Sequence, residues 1–333
     1  MSSDLLQGLQ ANLLSPPVLF FVLGLLAAVV RSELRFPEAL YVSLTIYLLC
    51  AIGFKGGVEI SEVGLSQVWL PTLAAMALGG MISLWTYPVL RFIGRLPSAD
   101  AAAIAGHYGS VSAVTFITAT NFLKVLAQPY EGYTAAFLAV MEAPAIIVAI
   151  VVGKMALRRQ GPARATADDS LGSVLHEALL GRSVFLLVGT LLTGFLCGKR
   201  GMDSVAGFLV TPFQGVLALF LLELGTVAGR RLNDLRKVGP FLVVFGIVMP
   251  LLHGTLGVLL GHAVGLSLGG TTLLAVLAAS ASYIAAPAAM RLSLPDANPT
   301  LYLTAALVIT FPFNVTLGIP IYYAIAKWWT GGH

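Results

Sequence analysis

Apolar runs of about 20 residues, separated by short polar breaks, fill almost all of this 333-residue chain. A run of that length matches the hydrocarbon thickness of a bilayer, and a backbone crossing it as a helix satisfies its own hydrogen bonds. Composition agrees. The chain is 58% hydrophobic and 10% charged, with a mean hydropathy of +0.91, which leaves too few polar residues to clothe a soluble core of this size. Ten runs are expected to span: 16–34, 38–54, 70–93, 98–125, 134–157, 181–198, 208–229, 239–262, 269–292 and 300–328. The first lacks a basic flank and a small-residue cleavage pattern, so it reads as a span rather than a cleaved signal.

Basic residues set an orientation. If the loop after Lys154 is cytoplasmic, 14 of the 19 Lys and Arg residues share its side, among them Arg91, Arg158, Arg159, Arg230, Arg231, Arg236 and Lys237. Lys55, Lys124, Lys199, Arg200 and Lys327 fall on the other. The asymmetry predicts both termini outside. The net charge of +4 then reports topology, not nucleic-acid binding.

Landmarks recur along the chain at a nearly constant offset. Gly109-Ser110-Val111-Ser112-Ala113 returns 170 positions later as Ala279-Ser280-Ala281-Ser282-Tyr283. Gly53 and Gly57 return as Gly225 and Gly229, Leu70-Pro71 as Gly239-Pro240, and Pro144 as Pro312. Such duplication predicts two halves, 1–157 and 181–333, joined by a linker at 158–180. Five spans per half make the second half enter from the opposite side, an inverted repeat. Paired halves with a broken helix in each mark a secondary transporter whose site lies where the breaks meet. The linker is polar and then amphipathic over Ser170–Leu180; it reads as a solvated connection with an interfacial helix, or as a docking surface.

The chemistry gathers at the two Ser-rich stretches. Small residues followed by a proline favour a local break, which exposes N–H groups and partial positive charge at the start of the next half-helix. Two such ends facing each other would cradle a small anion without an arginine. The alternative is that small residues only let helices pack closely. Glu142, before Ala143-Pro144, is an intramembrane acid matched in the second half by Thr310 and Asn314 around Phe311-Pro312. Carboxylate, hydroxyl and amide oxygens suit a small hard cation. Ser112, Thr115, Glu142, Thr310 and Asn314 are therefore candidate sodium ligands, Glu142 being alternatively a protonated acid bonded to a neighbouring helix. Glu223 reads as a helix-packing hydrogen bond, and His107 as a structural histidine or, alternatively, a substrate contact. Cys50 and Cys197 form no metal site, and the chain carries no HExxH, GxSxG, Walker or GxGxxG motif, so intramembrane protease, hydrolase and nucleotide-driven pump readings lack their parts and no enzyme is expected.

The stretches GHYGSVSAVTF at Gly106–Phe116, MEAP at Met141–Pro144, AASASYIAAPAAMR at Ala278–Arg291 and FPFN at Phe311–Asn314 carry a resemblance. The chain resembles the cyanobacterial sodium-dependent bicarbonate transporter family (SbtA type) over nearly its whole length. The resemblance implies a plasma-membrane symporter that imports bicarbonate with sodium for an inorganic-carbon concentrating mechanism, with sodium as coupling ion and no cofactor. It implies an elevator-type carrier with a gate domain of spans 1, 2, 6 and 7 and a core domain of spans 3–5 and 8–10. It also implies a homotrimer regulated by a PII-like protein on the cytoplasmic face, where Arg230, Arg231, Arg236 and Lys237 are the candidate dock. Bicarbonate would lie between Gly109, Ser110 and Val111 on one side and Ser280, Ala281 and Ser282 on the other. The rivals are a sodium-coupled carrier of another small organic anion on the same fold and a passive anion channel.

Overall fold

The computed structural model describes residues 10, 12–34, 36–159 and 182–331. All but the start of the expected linker, including Ser170–Leu180, lies outside the described residues, as does Arg35. The described residues contain no strand. In chain order the helices are α1 (Pro16–Val29), α2 (Glu38–Val63), α3 (Leu65–Pro88), α4 (Ser98–Gly109), α5 (Ala113–Val125), α6 (Ala135–Arg158), α7 (Arg182–Leu209), α8 (Phe213–Arg230), α9 (Leu235–Ala263), α10 (Leu268–Ala279), α11 (Ala286–Ser293) and α12 (Pro299–Trp329).

Among the described residues, seven helices have the length and apolarity to cross a membrane. The expected first span is the shorter α1, and the fourth and ninth are each interrupted, as α4–α5 and α10–α11. α2 outruns its apolar stretch. It continues past Lys55 to Val63, 26 residues in all, because Lys55, Glu59 and Glu62 face a polar cavity and not the apolar surround. α7 likewise continues beyond a kink at Gly198, whose φ of 58° with ψ of −158° suits only glycine. α12 carries two π-helical stretches, Thr304–Thr310 and Asn314–Gly318, on either side of Pro312, whose missing N–H loosens the ladder between them.

Two groups of helices emerge from the packing. α1 pairs with α8 and α2 with α7; α3 and α4 pack on α6, as α9 and α10 pack on α12. The pairings in the first group rest on glycines that let backbones touch. A Cβ on Gly24 would strike the Leu222 carbonyl, and one on Gly225 the Phe21 carbonyl. The same happens between Gly57 and the Leu191 carbonyl and between Gly194 and the Phe54 carbonyl. In this register Gly57 matches Gly225, one helical turn from the pairing that the glycine spacing suggested. The second group buries two short helices almost whole: Ala101–Ala105 of α4 and Leu273–Ala279 of α10 have no exposed surface. Alanine and glycine are small enough to permit enclosure on every side. At 12 residues each, α4 and α10 are about 18 Å long and stop well short of a bilayer's thickness.

Candidate functional site

α4 and α10 end alike. Ser110 follows Gly109 with φ −77° and ψ 172°, and Ser280 follows Ala279 with φ −80° and ψ 168°. Both residues turn the chain from helix to extended backbone. The first break lasts through Ser112, where α5 begins; the second runs to Ala285, with Pro287 fixing the first turn of α11.

The breaks brace each other. The Ser112 N–H donates to the Ser280 hydroxyl at 2.9 Å, and the Ser282 N–H donates to the His107 carbonyl at 2.8 Å. Ser112 also caps α5, its hydroxyl accepting from the Thr115 N–H at 3.2 Å and the Thr115 hydroxyl at 2.9 Å. That same hydroxyl donates to the Tyr283 hydroxyl at 3.1 Å. The Ser282 hydroxyl accepts from the Ala286 N–H at 3.2 Å. Every one of these groups is buried, where an unmade hydrogen bond is expensive, so the breaks hold one geometry.

A cavity lies beside them, on the seam between the two helix groups. Val111 and Ser112 line it from the first break, Ala113, Val114 and Ile117 from α5, Ser282–Ala285 from the second break, Leu138 and Glu142 from α6, and Thr45, Leu48, Leu49, Leu187 and Phe220 from α2, α7 and α8. Its volume, taken at water centres, is about 30 Å³. That is room for about two waters. The N–H groups of Ala113 and Val114 on one side, and of Tyr283, Ile284 and Ala285 on the other, have no hydrogen-bond partner among the described residues. Donors of this kind at half-helix starts suit an anion. Glu142, 5% exposed, faces the same space with no hydrogen bond from a described residue. No Lys or Arg lines the cavity.

The candidate residues divide. Val111, Ser112, Ser282 and Glu142 line the cavity, and Thr115 touches it through Ser112. Gly109, Ser110, Ser280 and Ala281 are buried behind the lining and shape the breaks. Thr310 and Asn314 tie α12 to the broken helices. Thr310 accepts from the Tyr108 hydroxyl at 2.6 Å and donates to the Gly246 carbonyl at 2.7 Å. Asn314 donates to the Ala279 carbonyl at 2.8 Å and accepts from the Tyr322 hydroxyl at 2.8 Å. Tyr283, Thr45 and Phe220 were not among the candidates; only Tyr283, adjacent to Ser282, carried a sequence signal. His107 donates from Nδ1 to the Ala103 carbonyl at 2.7 Å and stacks on Tyr302 with ring centroids 4.5 Å apart. Glu223 accepts from the Thr226 hydroxyl at 2.9 Å within its own helix. Both cysteines are free, and no cluster of metal-ligating side chains occurs among the described residues.

The arrangement offers donors for a small anion beside a carboxylate and hydroxyls for a small cation. Against known families, residues 16–327 match the Na+-dependent bicarbonate transporter superfamily. The chain belongs to that superfamily. No curated protein matches it. Membership in the Na+-dependent bicarbonate transporter superfamily makes this chain a membrane transporter, not an enzyme. Its several apolar helices and broken pair fit that role.

Proposed function

We propose that this protein imports bicarbonate across the plasma membrane by sodium symport, and the cavity between the two breaks carries that reading. Its size and its N–H donors favour a small monovalent oxyanion. The absence of cationic side chains from its lining disfavours a dianion, which would need stronger neutralisation. Val111 and Ser282 contact the anion in this reading, while Gly109, Ser110, Ser280 and Ala281 hold the breaks that present it. Sodium takes the oxygens of Ser112, Thr115 and Glu142, and Thr310 and Asn314 act from behind. Sodium would supply the counter-charge that the buried Glu142 carboxylate otherwise lacks. Anion and cation side by side lower the cost of burying either, which is a physical basis for coupling.

The proposed transport step is an elevator movement of α3–α6 and α9–α12 against a gate of α1, α2, α7 and α8. Support comes from the cavity's position on the seam between these groups. The proposed ten-span inverted repeat, 1–157 and 181–333, is supported by the matching glycine crossings and by the nearly equal dihedrals of Ser110 and Ser280. With the basic residues cytoplasmic, both termini lie outside. A homotrimer and a PII-like partner on the cytoplasmic face, at Arg230, Arg231, Arg236 and Lys237, complete the proposal. Bicarbonate titrated into purified protein should bind in sodium and fail to bind in potassium. Equal binding in both salts would remove the coupling.

A further inference from the structure

A second cavity, of about 380 Å³, lies further along the same helices. On α2, Leu49 lines the smaller cavity, and Ile52, Lys55 and Glu59 line the larger. On α5, Ile117 gives way to Thr120 and Lys124; on α6, Leu138 gives way to Ala135. Steps of three or four residues keep one helix face, so the same faces line both spaces. Lys55 stands about 9 Å along α2 from Leu49.

The charges in this larger cavity are Lys55, Lys124, Lys199, Glu59, Glu62 and Asp203. The described residues give no ion pair to any of the three lysines. The Lys55 ammonium lies 5.7 Å from the centroid of the Tyr130 ring. In the proposed orientation topology does not account for these cations: they belong to the basic-poor face, whose other basic residues are only Arg200 and Lys327. Three of that face's five therefore border a single cavity. Depth orders the charges along α2, with Lys55 nearest the smaller cavity and Glu59 and Glu62 one and two turns nearer the mouth. Lysines and carboxylates balance in number, so the attraction for an anion is local to the inner end.

We infer that Lys55 and Lys124 form an anion-collecting site in an outer vestibule, holding a monovalent oxyanion of the bicarbonate class before it passes Leu49, Ile52 and Ile117. This rests on the anion-transport reading of the smaller cavity. Lysine suits the task, since a compact charge on a flexible stem attracts without the bidentate grip that would slow release.

The test is thiol modification of the full chain in intact cells, with Cys50 and Cys197 replaced by Ser. Tyr130→Cys puts a thiol beside Lys55, and Gln214→Cys puts one elsewhere on the cavity lining. An anionic sulfonate thiol reagent should outpace a cationic trimethylammonium reagent, and Lys55→Met with Lys124→Met should lower that rate ratio about ten-fold. The same double variant should raise the bicarbonate KM and leave kcat within about two-fold. A ratio unchanged by the lysine substitutions in both cysteine backgrounds would overturn the inference. A ratio that falls while cells take up no bicarbonate would sustain the collecting site and overturn the bicarbonate reading alone.

Discussion

The Ser112 N–H donates to the Ser280 hydroxyl at 2.9 Å, joining two chain breaks that lie 168 residues apart. The Ser280 hydroxyl spends its own proton on the Leu277 carbonyl at 2.8 Å. Ser280→Ala therefore strands a buried N–H, a loss of about 1–3 kcal/mol. Ser282→Ala also strands a buried N–H, that of Ala286, but it gives up one hydrogen bond where Ser280→Ala gives up two. The expected order of melting temperatures in detergent is wild type, then Ser282→Ala, then Ser280→Ala. The reverse order of the two variants would mean that the cross-brace is not what holds the breaks.

Glu142→Gln keeps shape and removes charge. If the carboxylate holds sodium, the sodium concentration for half-maximal uptake should rise by about ten-fold or more, equivalent to at least about 1.4 kcal/mol. Uptake measured against sodium concentration reads this directly. An unchanged sodium dependence would place the cation elsewhere.

Bulk at the lining should act differently from bulk behind it. Val111 borders a cavity of only about 30 Å³, so Val111→Phe should fill it and abolish uptake in a protein that still melts near wild type. Ala281 is 3% exposed and lies outside the lining, so Ala281→Leu should overpack the break by about 1–3 kcal/mol and show first as a lowered melting temperature. Melting curves and uptake on the same preparations separate the two effects.

The basic cluster after α8 is not uniform. Arg230 donates to the Leu34 carbonyl at 2.7 Å, and Lys237 pairs with Asp234 at 2.8 Å. Reversing Arg231 and Arg236 to Glu should therefore weaken binding of a PII-like protein, more at low salt than high, and spare uptake. Pull-down at wild-type levels across a salt series would leave these residues with orientation as their only role.

The breaks were legible in the sequence because backbone departures need small residues, and Gly109-Ser110 and Ala279-Ser280 advertise them at one offset. The place of Glu142 at a cavity was legible as a cost: an acid in an apolar run must face something other than lipid. Other features had no local signature. The extension of α2 past Lys55 depends on a cavity built by α5 and α7, so hydropathy alone ended the helix early. The Gly57–Gly225 register is fixed by which carbonyl each glycine meets, which spacing does not encode. The Tyr283–Ser112 bond and the places of Thr45 and Phe220 arise from contacts between distant elements, and helical periodicity carries no record of them.

The measurement that bears most directly on the account is radiolabelled bicarbonate uptake by proteoliposomes under an inward sodium gradient. Bicarbonate should accumulate above its external level, and should not do so when potassium replaces sodium or when Val111→Phe closes the cavity. Undiminished accumulation in potassium, or through the closed cavity, would contradict sodium symport through the paired breaks.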